Sequence, residues 1–183
     1  MKRGFKSQSE LISKRYRKAL GLTLEEALPY KQIADHLNVR IWEPRDIPGL
    51  EKSAIAQLSK PESEWSAATL EANGTTLIIV NSAHSEARRA NDVLHELAHI
   101  ILGHSKGRLD VSDDGHLWLK SYGLDQEEEA DWLSATMLLP RDGLLALYRR
   151  FPDHETIAEI YGVSPELVKM RVNLTGISKQ VRN

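Results

Sequence analysis

Three residues within five positions, His95, Glu96 and His99, have the types and spacing of a reactive centre. Residues four apart on an α-helix lie on one face, one turn above the other. His95 and His99 can therefore offer two imidazoles to one metal ion, at roughly 2.0–2.1 Å each. Glu96 lies about 100° further round the helix, close enough to reach a water at the metal without displacing it. This is the donor set of a zinc-dependent hydrolase, with Glu96 as general base. The flanking residues are apolar on several sides, with Leu94, Leu97, Ala98 and Ile101 on one and Val93 and Ile100 on another. Two histidines and a glutamate in so buried a helix are costly unless they meet partners or a metal.

A catalytic zinc site takes three protein ligands and keeps one position open. The chain has no cysteine, so the third ligand must come from His, Asp or Glu. A further histidine in the same segment is out of register: Gly103 and His104 follow His99 by four and five positions, and His104 would project away from His95. Gly103-His104 reads instead as a helix end, with the glycine as C-cap. The alternative is a carboxylate from the run at residues 127–131. Taking Glu129 as reference, Ala130, Trp132, Leu133, Met137 and Leu139 fan out on both sides of it, while Glu127 and Asp131 fall on the opposite, polar side. A glutamate central to an apolar face is rarely left unpaired, so helical phase selects Glu129 as the third ligand. The donor that contacts substrate or stabilises the transition state is not specified; His104, His116 and Tyr122 are the candidates.

Several elements must position these groups. Leu11, Ile12, Tyr16 and Leu20 recur at helical spacing over residues 9–20, a basic amphipathic helix read as packing through that face. Residues 23–37 read as helical with an interruption at Pro29, and residues 39–42 as a short strand. A helix is expected over residues 51–60. Residues 64–70 and 75–80, joined through Asn73-Gly74, carry the clearest hairpin signal and could offer an edge to an extended peptide. Ser85 is placed to N-cap the histidine-bearing helix, which should end near Gly103. A loop-rich acidic stretch precedes a helix at residues 126–139 that Pro140 stops, and two more helices should complete the chain.

Composition narrows the function. The 183 residues carry a net charge of −2, which argues against a general nucleic-acid binder, and contain no apolar run long enough for a signal core or a membrane span. Cytoplasm is the expected location, and the absence of cysteine fits a reducing compartment. One feature favours DNA. Ala158, Gly162 and Val168 follow helix-turn-helix spacing, Ser164-Pro165 opens the second helix, and Lys169 and Arg171 lie on it. Asp153, Glu155, Glu159 and Glu166 dilute those bases and favour an ordinary helical hairpin.

Taken together, the motifs resemble the ImmA/IrrE metallopeptidases. The likeness rests on a strand ending Ile78-Ile79-Val80-Asn81, then Arg88-Arg89, His95-Glu96-Leu97-Ala98-His99 and Leu102-Gly103-His104, then Glu127-Glu128-Glu129-Ala130-Asp131-Trp132-Leu133 ending in Leu138-Leu139-Pro140. Asp131 stands where the family usually has Asn, and Leu139 where Met is common. The resemblance implies an α+β, zincin-like fold of the Glu-zincin type, mostly helical with a small antiparallel sheet beside the motif helix. Residues 1–150 would form the metallopeptidase domain, with 151–183 a helix-turn-helix-like segment packed on it. It also implies a Zn2+ endopeptidase that cuts a helix-turn-helix repressor of a mobile element or stress response. The alternative is a DNA-binding or repressor-binding regulator with a zinc site and little proteolysis.

Overall fold

The computed structural model describes residues 1–62, 65–72, 74–104, 109–111, 117–119 and 122–181. Mostly helical with a small sheet, the fold is α+β. The chain opens with α1 (Phe5–Ala19) and α2 (Tyr30–His36), followed by β1 (Val39–Trp42), a 3-10 turn at Pro44–Asp46, and α3 (Lys52–Leu58). Strands β2 (Ala67–Ala72) and β3 (Thr75–Val80) form the expected hairpin, antiparallel, with Thr69 opposite Ile78. β1 then adds to the other side of β3 in parallel, Ile41 opposite Ile78. The sheet is therefore mixed, in the order β1-β3-β2, rather than purely antiparallel. Hydrophobicity cannot reveal this pairing, because β1 reaches β3 only after the intervening 3-10 turn and α3.

Helix α4 (Glu86–Leu102) lies between the sheet and α5 (Leu124–Leu138) and contributes Ala90, Val93, Leu94, Leu97 and Ala98 to the core. The Ser85 hydroxyl accepts from the Arg88 N–H at its N-terminus, and Gly103 closes it at φ +64°, a left-handed conformation that glycine adopts without strain. Between α4 and α5, in the stretch read as loop, the short strands β4 (Leu109–Val111) and β5 (Leu117–Leu119) pair antiparallel. After Pro140 the described residues form four helices rather than two: α6 (Arg141–Arg150), α7 (His154–Tyr161), α8 (Pro165–Thr175) and α9 (Ile177–Val181). Ile157, Ala158, Tyr161, Val168, Val172 and Ile177 join the same buried cluster as α4 and α5. Gly143 on α6 is required by close approach, since an added Cβ would sit 2.0 Å from the Leu24 carbonyl oxygen.

Helix α1 packs on α5, and of the apolar residues expected to face the core, Ile12, Tyr16 and Leu20 are partly buried against it. Phe5, Ser9, Ser13 and Arg17, one turn apart, are its buried residues, whereas Leu11 is largely exposed. The small serines allow close approach, and Ser13 Oγ donates to the Thr136 carbonyl at 3.2 Å. Arg17 ends the stripe where α5 leaves carbonyls without intrahelical partners. Its Nη2 donates to Met137 and Leu138 O at 3.0 and 3.2 Å, and its Nη1 donates to Thr23 and Glu26 O. Arg171 on α8 caps the next carbonyl, Leu139 O, and pairs with Glu10 at 3.0 Å.

Candidate metal centre

The α4 histidines meet the first turns of α5. His95 Nε2 and His99 Nε2 stand 3.1 Å apart. The carboxylate that joins them is Glu127, whose Oε2 lies 3.1 Å from His95 Nε2 and 3.6 Å from His99 Nε2. Ligands at 2.0–2.1 Å in tetrahedral geometry are separated by about 3.3–3.4 Å, so this triangle has the dimensions of one face of a tetrahedral zinc shell. Among the described residues, no other group of His, Asp and Glu brings three ligand atoms together in this way.

Each imidazole is braced behind the triangle. Asp131, one turn after Glu127, places Oδ1 2.9 Å from His95 Nδ1, the carboxylate–histidine pairing that fixes ring orientation in metal sites. His99 is buried, with only 1% of its side chain exposed, and its Nδ1 lies 2.9 Å from His104 Nδ1. Burial first, then the His95 and His104 rings, hold its pKa down at about 3, so the ring stays neutral as a ligand must. Tyr122 stacks on it, with ring centroids 3.6 Å apart. Burial and then the charges of Glu96 and Glu127 push the Tyr122 hydroxyl up to about 12, so it keeps its proton and can donate at neutral pH.

Glu96 faces the sheet, where the Thr69 hydroxyl of β2 hydrogen-bonds its Oε2. β2 is an edge strand in the described sheet and passes two cavities. One, about 230 Å³, is lined by Ser66, Ala67, Asp92, His95, Glu96 and Asp131 among others. The second, about 180 Å³, lies by Glu71, His99, His104 and Tyr122. The approach to α4 is tied together by buried polar contacts. Buried Asn81 accepts from the Ala83 N–H and donates to the Lys60 carbonyl, while His84 contacts it and lies 3.4 Å from Asp92.

Of the residues expected from sequence, His95, Glu96, His99 and Tyr122 come together here. Glu129 does not: it is buried on the α1 side of α5, where the Lys2 N–H donates to Oε1 at 3.1 Å and His104 Nε2 lies 3.5 Å from Oε2. It is paired, as a buried glutamate should be, but with protein groups. His104 lies against His99, Nδ1 to Nδ1 at 2.9 Å, and lines the smaller of the two cavities. His116 lies outside the described residues. Sequence reasoning passed over Glu127, Asp131 and Thr69. The signal for the first two was an i, i+4 acid pair matching the spacing of the histidines. For Thr69 it was a hydroxyl opposite the fully buried Ile78 on the same strand face.

Residues 49–173, more than half of the chain, match the IrrE N-terminal-like domain family (peptidase M78), and the chain belongs to that metallopeptidase family. Among solved structures, a Mycobacterium tuberculosis transcriptional regulator shares the fold at a TM-score of 0.56 and 15% sequence identity. The likeness covers 91% of this chain and 46% of that one, so the chain spans less than half of the regulator's length. No curated protein matches. Among the described residues, no helix is long and apolar enough to cross a membrane.

Proposed function

We propose that the protein is a zinc-dependent endopeptidase whose metal is held by His95, His99 and Glu127, with Glu96 as general base. The tetrahedral spacing of the three ligand atoms carries this reading. Zinc, when bound, supplies Lewis acidity that activates water and polarises the scissile carbonyl. The chain's own groups do the rest. Glu96, oriented by Thr69, takes a proton from the attacking water and returns it to the leaving amine. Tyr122 donates to the developing oxyanion. The outer edge of β2, an edge strand among the described residues, aligns an extended segment of substrate through backbone hydrogen bonds, with side chains falling into the two flanking cavities.

The substrate on this reading is a helix-turn-helix repressor in the cytoplasm, an inference from family resemblance. Incubation with such repressors, with and without chelator, should give a defined, chelator-sensitive cut by mass spectrometry. Glu96→Gln should keep zinc and lose about 10²–10⁴-fold in cleavage rate, and native-rate cutting by this variant would overturn the assignment. Tyr122→Phe should lower kcat by about 10²–10³-fold with KM little changed; an unaltered kcat removes Tyr122 from the role.

The DNA-binding alternative draws no support from Arg171. Its guanidinium is only 1% exposed and is engaged by Glu10 and the Leu139 carbonyl. The exposed face of α8 mixes Glu166 and Lys169 with Met170 and Leu174.

A further inference from the structure

Glu129, His104 and His99 form a line running from the interior to the back of the metal triangle. The side chains of Glu129 and His104 are each 7% exposed, and the chemistry above uses neither. Glu129 Oε1 accepts from the Lys2 N–H, and its Oε2 faces His104 Nε2 at 3.5 Å. His104 Nδ1 is 2.9 Å from His99 Nδ1, and His99 Nε2 faces His95 and Glu127.

A neutral imidazole has one N–H and one lone pair, and an ionised carboxylate only accepts. Glu129 therefore selects the His104 tautomer protonated at Nε2, which leaves His104 Nδ1 as an acceptor. Across the 2.9 Å contact one Nδ1 must donate, so His99 carries its proton there. The lone pair of His99 Nε2 is then on the metal side. The two histidines are braced differently: Asp131 acts on His95 directly, whereas Glu129 acts on His99 through a second ring. We propose that Glu129 and His104 are positioning residues, a relay that sets His99 in the tautomer able to ligate a metal. This rests on the reading that His95, His99 and Glu127 hold zinc.

Glu129→Gln keeps the side-chain size but should invert the relay. The Lys2 N–H holds the amide oxygen, so the amide NH₂ faces His104 Nε2 and makes it an acceptor. The His104 proton moves to Nδ1 and that of His99 to Nε2, closing the ligand lone pair. Zn2+ affinity, measured by competition with a chromophoric chelator, should fall on the order of 10–100-fold. His104→Asn, whose Oδ1 replaces Nδ1 as acceptor, should stay near native affinity. Adding Glu129→Gln to it should cost nothing further, because no ring remains to transmit the change. Long-range 1H–15N spectra of the metal-free protein should show His99 protonated at Nδ1 and His104 at Nε2, with both reversed in Glu129→Gln. Unchanged tautomers in Glu129→Gln, or the same loss of affinity with and without His104→Asn, would overturn the relay. Failure of the native protein to bind Zn2+ would instead overturn the metal reading, and the metal-free spectra would still decide the relay.

Discussion

The two ends of α5 use the same physics for opposite purposes. At the first turns, acidic side chains stand at the partly open mouth of a cleft: Glu127 is 37% exposed and Asp131 74%. At the last turn, Met137, Leu138 and Leu139 present backbone carbonyls to the interior, where Arg17 and Arg171 satisfy them. Both ends gather charge-assisted contacts, but only the first leaves room for a substrate. A charged group on a helix is thus no guide to function until its access to solvent is known. The buried arginines direct their hydrogen bonds to backbone carbonyls and, for Arg171, to Glu10, whereas the exposed acids face the imidazole pair.

The contrast is broken most sharply at the first end. Glu127→Ala removes one of the three proposed ligands and, on that reading, is expected to abolish stoichiometric zinc binding and cleavage, with thermal stability of the metal-free protein nearly unchanged. Zinc titration beside a melt under chelator measures both. Retained stoichiometric zinc in Glu127→Ala would return the third-ligand role to another carboxylate. At the other end, Arg17→Ala should act only on stability. A buried carbonyl deprived of its donor costs about 1–3 kcal/mol, and Arg17 serves four. Even with water entering the space, a loss of at least about 3 kcal/mol is expected, which lowers Tm by roughly 6–12 °C in a chain of this size. Zinc stoichiometry per folded molecule should be native. A Tm within a degree of the parent would show that the arginine is not what holds the end of α5.

The same contrast explains what could be read from the amino-acid order. The histidine pair, Ser85 as cap, Gly103 as helix end and the hairpin were legible because each is local: a spacing, a cap, a turn. β1 alongside β3 and the serine face of α1 were not, because both depend on contacts far away in sequence. For the carboxylate, helical phase separated Glu129 from Glu127 and Asp131, but the residue that the structure brings beside the histidine pair is Glu127 from the polar side, not the inward Glu129. The candidate triangle of His95, His99 and Glu127 lies where α4 and α5 open to solvent, as the proposed peptidase site would require, so it draws on the polar edge of α5. The buried position went to Glu129, which is satisfied by a backbone amide and a histidine.

The smallest expected effect tests what Asp131 contributes at that polar edge. Its partner, His95 Nδ1, carries the proton once Nε2 is given to a metal, and any well-placed oxygen can accept it. Asn, usual at this position in the family that the sequence resembles, offers such an oxygen without the charge. Asp131→Asn should therefore change zinc affinity only slightly, while Asp131→Ala should weaken it by about 10–100-fold. At 74% exposure the carboxylate charge is screened by water, which leaves orientation of the ring as its main effect. Equal losses in the Asn and Ala variants would mean that the charge itself matters, by raising the basicity of His95. The edge of α5 would then tune the metal electrostatically as well as aim its ligand.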